Sequence, residues 1–315
     1  MNNRDQTGIY VKPLEGVSPV VTVCCATYNH EAFIREALDG FLAQRLDAPM
    51  EVVVFDDCST DATRDILRDY QRMHPDKIHL VLPETNLRSQ GVTWMQTLLP
   101  TARGTYIALC EGDDRWTASD KLQVQLEYLE ARPECAGCFH RTRLIDERGD
   151  TIQQDFFVAD RDSYDFGACL SFLGKQYATC SMMIRAEAVR TPAPWLERRF
   201  VDMLLELQVT RHGDLGYIDR NMADYRRHGE GVWSRLDVRS QILEIIHRYR
   251  LLLEDRETRD RHGIDIDKRM NEFVEMLVLR SDSEASSAGR NSLWKVPGSW
   301  LRGRFLDLSR RFRES

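Results

Sequence analysis

The stretch VVVFDDCSTDATRDIL, residues 52–67, decides the fold. Val52 to Phe55 are apolar with no polar alternation, the pattern of a strand covered on both faces. The run stops in Asp56-Asp57-Cys58-Ser59-Thr60-Asp61, and residues 62–73 continue at helical spacing, with Ser59, Thr60 or Asp61 able to cap that helix. A buried-type strand followed by a turn and a helix is half of a parallel crossover. The same order recurs on both sides. Residues 20–26 run into 27–30 and a helix over 31–44, whose apolar side carries Phe33, Ala37, Phe41 and Leu42. Residues 78–82 read as a strand and 92–102 as a helix. Residues 105–110 read as a strand running into Glu111, and 121–131 as a helix stopped by Pro133. The first half is therefore expected to form a Rossmann-like α/β layer, a mostly parallel sheet with flanking helices and right-handed crossovers. Ligands of such sheets bind beyond the carboxyl ends of the strands. That places residues 27–30, 56–61 and 111–114 at one mouth.

Further along, residues 135–144 and 177–185 read as strands. Residues 201–212 read as a helix closed by Gly213, and 215–218 and 223–226 as short strands. A helical pattern fills 237–279, and SDSEASSAGRNS at 281–292 reads as a linker. The expected organisation is a polar leader at 1–17, an α/β domain at 18–235, a C-terminal helical extension at 236–280, and a linker with a tail at 281–315.

The chain has 315 residues, 42% hydrophobic and 30% charged, as a soluble globular protein has. Its net charge of −7 argues against a nucleic-acid partner. Most of the eight cysteines sit in apolar runs, as buried thiols do, and Cys135 and Cys138 form a CxxC without a second pair. A reducing, cytoplasmic setting follows as the expectation. The first 17 residues lack the basic segment and apolar core of a signal peptide, and no apolar run approaches the roughly 18 residues needed to span a bilayer.

Two acidic stretches carry the chemistry. In the turn after Phe55, Asp61 suits the dipole of the following helix. Asp57 is then left to accept from a base or ribose. The plainer alternative is a strand-to-helix turn that favours Asp and Ser. Glu111-Gly112-Asp113-Asp114-Arg115-Trp116 places an acidic cluster at a strand end, an oxygen-ligand site for Mg2+ or Mn2+. Its alternative is an acidic turn. Gly112 would permit close backbone approach. Together, a base-and-ribose acceptor beside a metal carboxylate is what a nucleotide-diphosphate donor needs, with the ion stabilising the diphosphate as leaving group.

VTVCCATYNHEAFIREAL (21–38), VVVFDDCSTDATRDIL (52–67), GTYIALCEGDDRW (104–116) and KLQVQLEYLE (121–130) resemble the family 2 glycosyltransferases of the GT-A fold, closest to those with an EGDD-aromatic signature. The resemblance runs from about Val20 to Ser234. It implies an inverting, metal-dependent transfer from a nucleotide-diphosphate sugar, a UDP-sugar foremost, to a hydroxyl of a glycan or lipid-linked acceptor. It also implies roles. Thr27, Tyr28 and Asn29 match the first nucleotide loop, with Tyr28 against the base. Asp57 matches the carboxylate that recognises the base, and Asp113 the metal ligand. Glu111 matches a residue facing the ribose or metal, with Asp114 the adjacent acid. YATCSMMIR (177–185) matches the acceptor-side strand, Asp202 the general base, and YRRHGEGVWS (225–234) the closing loop, where His228 touches metal or diphosphate. Relatives often carry Asn-x-Gly in the third loop, where this chain has Asn86 to Gly91; there Arg88 is a candidate partner of the diphosphate, against the plainer reading of a solvated loop Arg.

A nucleotide-sugar pyrophosphorylase would want a Gly-rich, Lys- or Arg-bearing phosphate loop after the first strand, and Ala26-Thr27-Tyr28-Asn29-His30 has neither Gly nor Lys. A non-catalytic nucleotide-sugar-binding module would be favoured if the acidic positions were lost. In the tail, Leu301, Phe305, Leu308 and Phe312 share a helical face beside five arginines and near Trp294 and Trp300. Trp294 to Phe312 thus suits an anionic membrane surface, peripheral on the cytoplasmic face, or packing on the chain itself or on a second subunit of an oligomer.

Overall fold

The computed structural model describes residues 18–172, 177–198, 202–229 and 236–284. Its first half alternates as β1 (Val21–Thr27), α1 (Ile34–Leu42), β2 (Met50–Asp56), α2 (Thr63–Met73), β3 (Ile78–Val81), α3 (Trp94–Leu98) and β4 (Tyr106–Glu111). β1 lies between β2 and β4, parallel to both, and β2 pairs in parallel with β3. All seven residues of β1 are buried, which is why the strand carries no polar alternation. Ile34, Ala37, Leu38 and Phe41 of α1 are buried in one core with Val21, Val23 and Cys25 of β1. Each large side chain buried there contributes about 1.5–3 kcal/mol.

After β5 (Arg115–Trp116) and α4 (Lys121–Glu130) come β6 (Cys135–Ile145), β7 (Thr151–Gln153), β8 (Ser163–Tyr164) and α5 (Phe166–Phe172). Then follow β9 (Met183–Arg185), α6 (Glu187–Arg190), α7 (Pro194–Arg198), α8 (Asp202–Thr210) and β10 (Asp214–Arg226). The main path of the sheet runs β3-β2-β1-β4-β9-β6-β10-β5. β9 is antiparallel to β4 and β6, and β5 to β10, whereas β6 and β10 are parallel. The sheet is therefore mixed. The parallel pairing expected of the first half holds from β1 to β4, and in the half that follows the parallel pair β6–β10 stands among antiparallel ones.

Three local expectations change. The helix expected over 92–102 is α3 followed by a 3-10 turn at Leu99–Thr101, because Pro100 has no amide to continue an α-helix. The strand expected over 177–185 is a 3-10 turn at Thr179–Ser181 and then β9. The two short strands expected at 215–218 and 223–226 are one strand, β10, with a register shift between Ile218 and Ala223.

The second compact unit contains α9 (Val238–Glu254) and α10 (Arg256–Glu284). Asp237 caps α9 by accepting from the Ser240 amide at 2.8 Å, and Asp255 accepts from the Thr258 amide at 2.9 Å where α10 begins. The Tyr249 and Phe273 rings meet at 6.0 Å between the two helices. α10 continues into the stretch expected as linker from Ser281. Among the described residues no helix is long and apolar enough to cross a membrane. The leader at 1–17 and the tail from Trp294 to Phe312 lie outside the described residues.

Candidate active site

The loops after β1 and β2 are laced together side chain to backbone. Asn29 adopts φ 55°, the left-handed region that Asn tolerates better than most residues. Its amide donates to Ser59 Oγ at 2.8 Å, and its Oδ1 accepts from the Thr60 amide at 2.8 Å. The His30 amide donates to Thr63 Oγ1 at 2.9 Å. The Glu31 amide donates to Asp61 Oδ2 at 3.0 Å, while Glu31 Oε2 accepts from the Ala62 amide at 2.8 Å. Glu31 and Asp61 thus take up amides at the start of α2, where negative charge is favoured. Burial opposes ionisation of Asp61, but the hydrogen bonds from Thr63 and Glu31 outweigh it and hold its carboxyl below the ordinary range.

Asp57 fastens the third loop to this frame. Its Oδ1 accepts from the Leu87 amide at 2.7 Å and its Oδ2 from the Arg88 amide at 3.2 Å. The Asn86 side chain donates to the Asp57 carbonyl at 2.8 Å. A carboxylate offers about four acceptor positions, so two remain for a further donor. Thr27 is buried behind the loop, Tyr28 is 44% exposed, and Arg88 is exposed on a 3-10 turn.

The acidic stretch sits against the same frame. The Gly112 amide donates to the Ala26 carbonyl at 2.8 Å. A Cβ on Gly112 would stand 2.8 Å from Ile34 Cδ1 and from Thr27 Cβ and Oγ1, so the close approach read from the sequence is to α1 and the first loop. Glu111 ends β4. Asp113 Oδ2 lies 3.8 Å from His30 Nε2, and one ligand atom each from His30, Asp113 and His228 lies within 4.8 Å of the others. Two ligands each ~2.2 Å from a shared ion stand at most about 4.4 Å apart, close to this spacing. Two imidazole nitrogens and a carboxylate oxygen fit a divalent ion of the Mn2+ type. Mg2+ prefers oxygen alone.

Asp114 points the other way. It is 1% exposed, and its Oδ1 accepts from the Arg226 amide at 2.7 Å. Burial first, then the neighbouring charges of Asp113 and Glu111, push its carboxyl well above the ordinary range. Trp116 Nε1 donates to the Cys180 carbonyl at 2.9 Å, and the buried Lys121 ammonium stands 4.0 Å over the Trp116 ring. Asp202 opens α8, but its side chain lies outside the described residues.

The structure thus gathers Thr27, Tyr28, Asn29, Asp57, Glu111 and Asp113 around the ends of β1, β2 and β4, and brings Asp113 and His228 together. Sequence reasoning did not single out His30, which joins Asp113 and His228 in a group that could hold a metal ion. Its one signal was membership of the first loop, beside Asn29. It also passed over Arg226, although that residue lies in the stretch 225–234 matched to the closing loop.

A sheet of this order, with two laced turns and a carboxylate–imidazole cluster at its mouth, defines a GT-A-type fold. Residues 22–191 match glycosyl transferase family 2, and the chain belongs to that family. It is 36% identical over 213 residues to an uncharacterized protein of Mycobacterium tuberculosis (strain ATCC 25618 / H37Rv), covering 68% of this chain and 60% of that one. The chain thus spans about three-fifths of the length of that relative. It is 29% identical to the putative teichuronic acid biosynthesis glycosyltransferase TuaG of Bacillus subtilis, over 66% of this chain and 79% of TuaG. In fold it is similar to S. aureus TarS in complex with UDP-GlcNAc, at TM-score 0.55 and 17% identity, over 75% of this chain and 67% of that one. It is likewise similar to a mannosyltransferase from Pyrobaculum calidifontis in complex with GDP-Man and Mn2+, at TM-score 0.52 and 17% identity, over 95% and 84% of the two chains.

Proposed function

We propose that the protein is an inverting, metal-dependent glycosyltransferase that moves a sugar from a nucleoside-diphosphate donor, UDP-linked foremost, to an acceptor hydroxyl. The observation that carries the reading is the His30, Asp113 and His228 cluster beside the laced turns. These three residues would hold a divalent ion, which supplies positive charge to a departing diphosphate. Tyr28 is the exposed aromatic surface for the base, Asp57 retains acceptor positions for it, and Glu111 faces ribose or metal. Arg88, whose amide donates to Asp57 and whose side chain is exposed, is assigned to the diphosphate. Thr27 and Asn29 hold the loop in shape, and the buried Asp114 accepts from the Arg226 amide and does not face the donor.

Asp202 takes the proton of the acceptor hydroxyl as the oxygen forms its bond to the anomeric carbon. The bond from that carbon to the phosphate oxygen breaks in the same displacement, and its electron pair leaves with the diphosphate. A single in-line displacement inverts the centre. The likeness to TuaG, a putative teichuronic acid biosynthesis glycosyltransferase, supports a glycan or lipid-linked acceptor. The basic, aromatic tail from Trp294 to Phe312 supports a site of action at the cytoplasmic face of a membrane.

The test is release of nucleoside diphosphate from a panel of UDP-, dTDP- and GDP-sugars, with Mn2+ or with chelator. Metal-dependent release from one donor class is expected. No release from any donor, or release undiminished by chelator, overturns the reading.

A further inference from the structure

We propose that Arg226 is a positioning residue that presets the direction of the Asp113 carboxylate, and that Glu36 of α1 is its anchor. The two chain segments clasp each other reciprocally. Arg226 Nε donates to the Asp113 carbonyl at 2.8 Å, and the Arg226 amide donates to Asp114 Oδ1 at 2.7 Å. One bond holds the peptide that follows Asp113, and the other holds the next side chain. Between them the backbone on the C-terminal side of Asp113 loses its freedom to rotate.

The guanidinium is itself tightly held. Its side chain is 1% exposed and lies 4.8 Å over the Phe33 ring. One terminal nitrogen donates to Glu36 Oε2 at 3.0 Å, and the other reaches the Glu147 carbonyl at 3.2 Å. Glu36 Oε2 also accepts from Arg115 at 2.8 Å. Arg115 and Arg143 converge in turn on the buried Asp224 carboxylate, Arg143 by two bonds of 2.7 and 2.9 Å. Three guanidiniums thus face two carboxylates in this network. Only a planar fork can reach a carbonyl on one side, a carboxylate on another and the 146–147 turn on a third.

The proposal rests on the metal-site reading, and the experiment separates the two. Mn2+ binding to the full chain is followed by electron paramagnetic resonance, with unfolding midpoints recorded alongside. The proteins are wild type, Asp113→Ala, Arg226→Met, Arg226→Lys and Glu36→Gln. Residues that orient a metal ligand typically change affinity by about 10–100-fold when removed. Arg226→Met is expected to weaken Mn2+ at least ~10-fold. Arg226→Lys keeps the charge and is expected not to restore affinity. Glu36 is 43% exposed in its side chain, so Glu36→Gln keeps the fold and is expected to weaken Mn2+ in the same direction. Wild-type affinity in Arg226→Met and Glu36→Gln, with binding lost in Asp113→Ala, overturns the clasp and leaves the metal site standing. Full rescue by Arg226→Lys overturns the geometric role. If wild type binds no Mn2+, the clasp falls together with the metal site.

Discussion

Asn29 and Thr60 face each other across the mouth of the sheet, the Thr60 amide donating to Asn29 Oδ1 at 2.8 Å while Asn29 itself sits at φ 55°. The pair joins the loop after β1 to the start of α2. Asn29→Ala removes the acceptor and keeps the unfavourable φ, so it should lower stability by about 1–3 kcal/mol. Asn29→Gly relieves the φ and loses only the bond, so it should cost less. Urea unfolding of both variants checks the order, and equal losses would show that the backbone conformation contributes nothing.

Asp57 has two tasks in this reading, and they separate by substitution. Asp57→Ala frees the Leu87 and Arg88 amides and removes the base acceptor together. Asp57→Asn keeps one oxygen for an amide and presents a donor where the base needs an acceptor. Calorimetry with nucleoside diphosphate should therefore show weaker binding in both, while Asp57→Asn retains more of the native protection of the 87–88 amides in hydrogen exchange. Unchanged affinity in Asp57→Asn would place the base elsewhere.

Asp202→Asn should leave donor binding and folding intact, since an amide can still cap a helix. Turnover should fall at least ~100-fold, because an amide cannot take the acceptor proton. A near-normal rate, or a product with the donor's anomeric configuration, would reject Asp202 as the base.

Lys121 is wholly buried, donates to Gln125 Oε1 at 2.6 Å, and has its pKa pushed down to about 8 by burial. In the unfolded chain the lysine titrates near 10.4. Between these values the unfolded chain binds more protons than the folded one, so this group makes stability rise with pH from about 8 to about 10.4. Below that window both states are protonated and the burial penalty is constant. Other groups titrate in the same range, so the quantity to measure is the stability difference between wild type and Lys121→Met. That difference should shift in favour of wild type as pH rises from 8 to 10. A difference independent of pH would mean that Lys121 keeps an ordinary pKa.

Local pattern was enough to read the strands from Val21 to Glu111, the helices α1 and α2, and the three stretches that follow strands, because burial on both faces and helical spacing are properties of neighbouring residues. Asp57 and Asp113 could be singled out as candidates for the same reason: each is an acid within a few residues of the end of an apolar run. Only the tertiary structure decided which acids face outward. Asp113 turns toward His30, whereas Asp114, one residue on, turns inward to the Arg226 amide, 112 residues away in sequence. It also decided that His30 joins the cluster, that the second half of the sheet is mixed, and that Arg226 sits buried beneath the acids. Those outcomes depend on which distant segments the folded sheet brings into register, and a side chain carries no local mark of a partner that far along the chain.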